Sequence, residues 1–146
     1  PSVQSPLAIN GKDISSSICY EIAYPDLVRN ADNDPAFILT VSNDTWFGSS
    51  IGPWQHLQLA RMRALENERM LIRATNNGIT AVVSSRGQVL ASLPQFTTGV
   101  LRYDLEMRSG KTPFQRFGSW PTLFIAVAIL VFGAYRTQKI KTVPGM

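Results

Sequence analysis

The sequence has very little cysteine and histidine. One cysteine, Cys19, and one histidine, His56, occur among 146 residues. A single cysteine cannot form an internal disulfide, and the sequence contains neither a CxxC pair nor a Cys/His cluster with zinc-ligand spacing. We therefore expect no metal site, and any catalytic triad that uses histidine would have to be built around His56.

The chain also lacks an excess of basic residues over residues 1–116, its body, although its formal net charge is +4. Residues 1–116 contain eleven Lys or Arg and ten Asp or Glu, and the other three basic residues are Arg136, Lys139 and Lys141. A protein that reads a nucleic-acid duplex needs a basic stripe on its folded body. The sequence therefore predicts no nucleic-acid partner.

The beginning of the sequence lacks a recognisable native start or signal peptide. The first residue is Pro1, and no basic segment precedes an apolar one. Hydrophobic residues make up 45% of the chain, which is enough for the core of one modest domain. We interpret the chain as a piece of a longer protein.

Short apolar segments separated by turn residues predict a mixed α/β body. The predicted strands are residues 14–19, 36–42, 70–75, 79–84, 89–93 and 99–105, and the predicted helices are residues 26–31 and 53–69. Residues 1–13 are polar, with a turn at Asn10-Gly11. In the longer helix, Arg63, Glu66 and Arg69 are spaced for i,i+3 ion pairs. Cys19 is expected where a strand ends and the chain turns into a helix.

Residues 117–135 differ from the rest of the chain because they form a run of 19 residues without a charge. As an α-helix this run would be about 28 Å long, close to the thickness of the hydrocarbon core of a bilayer. Trp120 and Tyr135 would flank its apolar centre as interfacial anchors. We expect a transmembrane helix over 117–135 and a basic tail over 136–146; the alternative is a long core helix of a soluble domain. Three basic residues on each side leave the orientation open.

Cys19 is the candidate catalytic residue. A position between strand and turn would project its thiol over the edge of a sheet and aim the following backbone N–H groups at a developing oxyanion. Glu21, two residues later, could orient a partner or a substrate amine, or it could be a solvated surface carboxylate. A lone cysteine is more often a small buried hydrophobic residue, so the residues alone leave both interpretations open.

Four stretches of the sequence, in this order, carry a family resemblance. They are ICYEIAYPD at 18–26, SNDTWFG at 42–48, GPWQH at 52–56 with RMRALE at 61–66, and RATNNGITA at 73–81. The first resembles the nucleophile segment of the nitrilase superfamily, in which the cysteine is followed by Tyr and an acidic residue. Within that superfamily, the NDTWFG and GPWQH stretches and the apolar run near the C-terminus are similar to the apolipoprotein N-acyltransferase family.

This resemblance implies the C-terminal part of an α/β/β/α sandwich followed by one transmembrane helix. It implies a catalytic Glu, Lys and Cys, of which only Cys19 lies in this chain. The Glu and Lys lie upstream in the family, and Lys12 is too near Cys19 to be that Lys. The backbone N–H of Tyr20 would share an oxyanion hole with the Lys, and Glu21 would support the site.

The resemblance also implies a reaction and its setting. Cys19 would take an acyl group from a phospholipid as a thioester and pass it to the N-terminal amine of a diacylglyceryl-cysteine apolipoprotein, with no cofactor. The protein would be a multi-pass enzyme of the bacterial inner membrane with its catalytic domain on the periplasmic side. Two other functions stay open: a nitrilase-type amidohydrolase, in which water accepts the acyl group, and a non-catalytic membrane-anchored binding domain.

Other residues in the four stretches have more than one interpretation. Trp46 and Phe47 could line a pocket for lipid or an acyl chain, or pack in the core or on a membrane-facing loop. Asn43 and Asp44 could form an Asx turn. His56 is predicted to be structural, because the family performs its acid and base chemistry without it. Gly78 is predicted to adopt positive φ in a tight connection between strands.

Overall fold

The computed structural model describes residues 7–30 and 34–141, with side chains in the last helix described up to residue 137. It divides into two compact units after Arg116. The strands are β1 (Leu7–Ile9), β2 (Lys12–Ile18), β3 (Ile38–Asn43), β4 (Leu71–Asn76), β5 (Thr80–Val83) and β6 (Val89–Leu93). The α-helices are α1 (Pro25–Asn30), α2 (Gly52–Asn67), α3 (Pro113–Phe117) and α4 (Trp120–Lys141). Two short 3₁₀ segments, the Cys19 turn (Cys19–Ala23) and the Asp44 turn (Asp44–Phe47), follow β2 and β3.

The described strands form one sheet in the order β1-β2-β3-β4-β5-β6. The β1–β2 pair is an antiparallel hairpin, whose turn residues Asn10 and Gly11 both have positive φ, as a tight hairpin turn requires. Strands β2, β3 and β4 are parallel, because α1 and α2 carry the chain back between them. The carboxyl ends of these three strands therefore meet at one edge, where the Cys19 turn and the Asp44 turn begin.

The two faces of the sheet are covered differently. A core of ten buried apolar residues, from Ile22 and Val28 through Leu57 to Val83, lies on the face that α1 and α2 cover. The opposite face carries a smaller cluster around Phe37. It also leaves Ile18 61% exposed and Val41 43% exposed. The structure thus has one helical layer and one sheet whose second face is apolar and partly bare. One half of an α/β/β/α sandwich has this arrangement.

Several predicted elements are corrected by the structure. Residues 99–105 form no strand; they run as an irregular segment, with Leu105 packed beneath the Phe37 cluster. Strand β1 was not predicted, since its three residues are exposed and offer no buried alternation. The predicted helix end at residue 31 lies outside the described residues.

The predicted Glu66–Arg69 ion pair is wrong, whereas Arg63 does pair with Glu66 at 3.0 Å. Helix α2 ends at Asn67, and Glu68 takes the left-handed conformation that turns the chain away from the helix. Arg69 instead forms an ion pair with Asp34 and donates to the carbonyl of Gly110 at 2.6 Å.

Helix α4 begins at Trp120, three residues later than the uncharged run, with Pro121 in its first turn. Its segment Trp120–Thr137 is long and apolar enough to cross a membrane, by length and composition.

Candidate active site

Cys19 occupies the predicted position, directly after β2 and at the first residue of a turn. Ile18 is extended, but Cys19 itself has φ +54°, in the left-handed region that a residue with a side chain adopts at a cost of about 1 kcal/mol or more. Its side chain is partly exposed. Such a backbone persists only when surrounding groups hold it. The contacts of Cys19 are therefore central to the site.

Glu21 braces the Cys19 turn. Its Oε2 accepts a hydrogen bond of 2.7 Å from the backbone N–H of Ile18, and its carbonyl accepts one of 3.0 Å from Tyr24 N–H. These two bonds close the turn on both sides of the cysteine. Glu21 is therefore not merely a solvated surface carboxylate, because its side chain has a partner within the protein. Its contact with an incoming amine stays a prediction.

Tyr20 follows Cys19 within the same turn. Its ring is 58% exposed and packs edge-on against Tyr24, with the ring centroids 5.9 Å apart. The centroid of the same ring lies 6.3 Å from the centroid of the His56 imidazole. The participation of the Tyr20 N–H in an oxyanion hole stays a prediction.

Asp44 is a fully buried carboxylate at the end of β3, where it joins three other polar side chains. Its Oδ1 accepts a 2.6 Å hydrogen bond from the Ser42 hydroxyl and lies 3.1 Å from His56 Nδ1. Its Oδ2 accepts a 2.6 Å hydrogen bond from Arg73 Nη2. We call these four residues, Ser42, Asp44, His56 and Arg73, the Asp44 cluster.

The charge of Asp44 is stabilised by its neighbours. Burial by itself raises the pKa of this carboxyl, but the hydrogen bonds from His56 and Ser42 and the charge of Arg73 outweigh burial and lower the pKa to about 2. Asp44 is therefore ionised at neutral pH, and the cluster contains a fixed negative charge.

Arg73 is a buried cation in the middle of the sheet, opposite Thr40 on β3. Burial lowers the pKa of its guanidinium, and the charge of Asp44, the hydrogen bond to it and the charge of a Cys19 thiolate act in the other direction. Arg73 thus lies within electrostatic reach of Cys19. The sequence reasoning missed this role, although Arg73 opens the fourth family stretch.

Two members of the Asp44 cluster contact Cys19 directly. His56, only 3% exposed, has its Nε2 3.1 Å from the carbonyl oxygen of Cys19. The Ser42 hydroxyl lies 3.6 Å from Cys19 Sγ. His56 is buried and bonded at both ring nitrogens, as expected of a structural histidine.

The Asx-turn interpretation is correct for Asn43 and wrong for Asp44. Asn43 Oδ1 accepts hydrogen bonds from the N–H and the hydroxyl of Thr45, at 3.2 and 2.6 Å. Asp44 instead points inward to the cluster, because the next side chain along a strand end faces the opposite side. The parallel order of β2, β3 and β4 was the signal that could have placed Ser42 and Asp44 beside Cys19.

Trp46 and Phe47 lie in different surroundings. The Trp46 side chain is 86% exposed, whereas Phe47 is half-buried with its ring 6.2 Å from that of His56. Phe47 also covers Gly52 at the start of α2, where an added Cβ would lie 2.3 Å from its ring. Phe47 therefore packs behind the site, and a lipid or acyl pocket that includes either residue stays a prediction.

The Asn77-Gly78 connection between β4 and β5 reaches the cluster from another side. The predicted positive φ at Gly78 is wrong, since Asn77 takes it, at +58°. Glycine is required at 78 for space: an added Cβ would lie 2.3 Å from Asp44 Oδ2. The backbone of this turn is thus in close contact with the buried carboxylate.

Known proteins resemble this chain in sequence and in fold. Residues 1–112 match the carbon-nitrogen hydrolase family model. The apolipoprotein N-acyltransferase of Vibrio vulnificus is 52% identical over 128 residues, which are 87% of this chain and 25% of that protein. The one from Shewanella oneidensis is 47% identical over 138 residues, which are 94% and 27%. The chain spans about a quarter of the length of these relatives.

A solved structure shows the same fold. The carbon-nitrogen hydrolase from Helicobacter pylori superposes with a TM-score of 0.52 at 14% sequence identity, over 62% of this chain and 39% of that one. At this identity the likeness concerns the fold alone. The family match over residues 1–112 shows that this chain belongs to the carbon-nitrogen hydrolase family, the nitrilase superfamily.

Proposed function

We propose that the whole protein is an acyltransferase that moves a fatty acyl chain from a phospholipid to the N-terminal amine of a diacylglyceryl-cysteine apolipoprotein. The observation that carries this proposal is Cys19, partly exposed and held at a left-handed turn above a buried polar cluster. The names of the relatives support the choice of acceptor and reaction.

The chemistry proceeds through two displacements at one sulfur. A thiol is a weak nucleophile until a base takes its proton; in this proposal a Glu from outside this chain does so. The thiolate attacks the ester carbonyl of the phospholipid, a C–S bond forms, and the lysophospholipid leaves as an alcohol with that proton. The N–H of Tyr20 and a Lys from outside this chain stabilise the oxyanion.

The second displacement consumes the thioester. The amine of the acceptor attacks the thioester carbonyl, an amide bond forms, and Cys19 leaves as a thiol after the Glu has taken the proton of the amine. Glu21, beside the nucleophile, supports this step. In this proposal the segment Trp120–Thr137 of α4 anchors the protein as a transmembrane helix, and residues 1–116 belong to the catalytic domain on the periplasmic side of the bacterial inner membrane.

A product analysis tests the function and separates it from its alternatives. Full-length protein in detergent is given a phospholipid with a labelled acyl chain and a diacylglyceryl-cysteine peptide with a free amine. The proposal predicts labelled N-acyl peptide, which is absent with Cys19→Ala. Labelled free fatty acid without acylated peptide would favour the amidohydrolase, and no turnover of a folded enzyme would favour the binding domain.

A further inference from the structure

The carbonyl oxygen of Cys19 has a partner that the proposed reaction does not use. His56 Nε2 lies 3.1 Å from it, and His56 Nδ1 lies 3.1 Å from Asp44 Oδ1. A carbonyl oxygen and an ionised carboxylate only accept hydrogen bonds. Each ring nitrogen therefore has to donate if both contacts are to be attractive.

A neutral imidazole cannot satisfy this geometry, because it carries one N–H and one lone pair. With the proton on Nε2, the lone pair of Nδ1 would face the carboxylate of Asp44; with the proton on Nδ1, the lone pair of Nε2 would face the carbonyl of Cys19. His56 is 3% exposed, so water cannot easily replace the lost partner.

We propose that His56 is a positioning residue that carries a proton on both ring nitrogens, so that one buried imidazolium ties the carboxylate of Asp44 to the carbonyl of Cys19 and holds the nucleophile in its left-handed conformation. The inference rests on the proposed function only in taking Cys19 as the nucleophile. It assigns to His56 no proton transfer with the substrate.

The charges around His56 fit this assignment. Asp44 faces its ring from the Asp44 turn, the Cys19 turn supplies the carbonyl and the ring of Tyr20, and Phe47 packs edge-on against it. Arg73 reaches Asp44 through the other carboxylate oxygen. One carboxylate thus lies between two cations, and the cluster carries one net positive charge beneath the thiol.

Ser42 provides a second connection, to the sulfur. The Ser42 hydroxyl has one hydrogen and lies within hydrogen-bond distance of two acceptors, Asp44 Oδ1 at 2.6 Å and Cys19 Sγ at 3.6 Å. When Cys19 loses its proton, rotation of the hydroxyl turns that hydrogen to the sulfur. Asp44 then keeps His56 and Arg73 as partners. The cluster therefore contacts Cys19 at two points: His56 contacts its backbone carbonyl, and Ser42 contacts its sulfur.

The first test measures the reactivity of Cys19 directly, without either lipid substrate. Full-length protein is alkylated with iodoacetamide, and the rate at Cys19 is followed by mass spectrometry. His56→Gln has only one donor group, and we expect the rate to fall roughly 10- to 100-fold, as is typical when a partner that orients a reactive group is lost. Arg61→Ala is the matched control, because it removes a 2.7 Å hydrogen bond to Gly87 from the same helix away from Cys19.

The second test distinguishes a doubly protonated ring from mere filling of space. In His56→Gly, added imidazole should restore rapid alkylation, because an imidazolium can donate at both ends. 1-Methylimidazole, which has one N–H at most, should restore much less. Equal rescue by the two compounds, failure of both, or wild-type alkylation of His56→Gln would overturn the inference.

These outcomes are separate from those of the proposed function. Rapid, His56-dependent alkylation of Cys19 in a protein that acylates no peptide would defeat the acyltransferase and leave the role of His56 in place. Peptide acylation that is unaffected by His56→Gln would defeat the role of His56 and leave the acyltransferase proposal in place.

Discussion

At the scale of single residues, two carboxylates support Cys19 in different ways. Glu21 is exposed and braces the turn through the N–H of Ile18, whereas Asp44 is buried and holds His56, Ser42 and Arg73. A substitution at Glu21 therefore acts on the turn and on what approaches it. A substitution at Asp44 acts on the interior.

Glu21→Gln separates bracing from acyl transfer. The Gln side-chain oxygen can still accept the hydrogen bond from Ile18, so we expect acyl-Cys19 to form and the melting temperature to change little. Transfer to a lipopeptide amine should slow by about 30- to 1000-fold, which is roughly 2 to 4 kcal/mol of barrier. Acyl-Cys19 and acylated peptide are measured separately. Normal transfer in Glu21→Gln, with loss only in Glu21→Ala, would reduce Glu21 to a brace.

Asp44→Asn should change how stability depends on pH. The pKa of Asp44 is lowered from 3.8 to about 2, so its charge contributes stability that is present above pH 4 and is lost as the pH falls from about 4 to about 2. The contribution is on the order of 2 kcal/mol. Melting temperatures of wild type and Asp44→Asn in detergent should differ most above pH 4 and converge toward pH 2. A difference that is constant with pH would contradict this account.

At the scale of elements, three parallel strands that end at one edge create the site. Cys19 directly follows β2, and Asp44 directly follows β3, which also contains Ser42. Strand β4 contains Arg73 and leads into the Asn77-Gly78 turn. Helix α2 adds His56 behind them. The site therefore depends on how closely the β4–β5 turn approaches the Asp44 turn.

Gly78→Ala tests that approach. The added methyl group would lie 2.3 Å from Asp44 Oδ2, so turn and carboxylate would have to separate, at a cost of roughly 1 to 3 kcal/mol. We expect a lower melting temperature and slower alkylation of Cys19. Gly99→Ala is the control, since its Cβ would meet only the side chain of Leu93, at 3.3 Å. Equal behaviour of the two variants would show that the contact is unimportant.

The sequence predicted elements better than their contacts. Apolar runs located β2 to β6 and α2 within a few residues, and the strand-to-turn position of Cys19 followed from them. The segment 99–105 has the composition of a strand, but it pairs with no strand among the described residues. Whether a segment finds a partner strand cannot be read from its own sequence pattern. The sequence predicts a turn residue at Asp44 for a similar reason, because the burial of Asp44 depends on Arg73 and His56, 29 and 12 residues away.

At the scale of the whole molecule, the chain contains part of a nitrilase-type α/β fold and one long apolar helix. The partly bare sheet face with Ile18 and Val41 fits a chain that spans about a quarter of the length of its relatives. In the proposal, α4 then returns the chain across the membrane.

A pair of reporter fusions tests that crossing. With residues 1–116 on the periplasmic side, a reporter fused after Met146 of the full-length protein should lie in the cytoplasm, so green fluorescent protein should fluoresce and alkaline phosphatase should be inactive. Val127→Arg with Val131→Arg should reverse both signals, since each central Arg costs about 2.5 to 3.5 kcal/mol of insertion. Thr137→Arg, at the end of the segment, should leave them unchanged. Active phosphatase in the unaltered protein would contradict the assignment.

The intact mass of the full-length enzyme after mixing with phospholipid alone shows whether Cys19 becomes acylated. We expect a gain of one acyl chain, which hydroxylamine removes and which is absent from Cys19→Ala. It should be absent from Cys19→Ser as well, because a serine hydroxyl is far less acidic than a thiol. A fully active wild-type enzyme that never carries the acyl chain, or an acyl chain that persists in Cys19→Ala, would contradict this expectation.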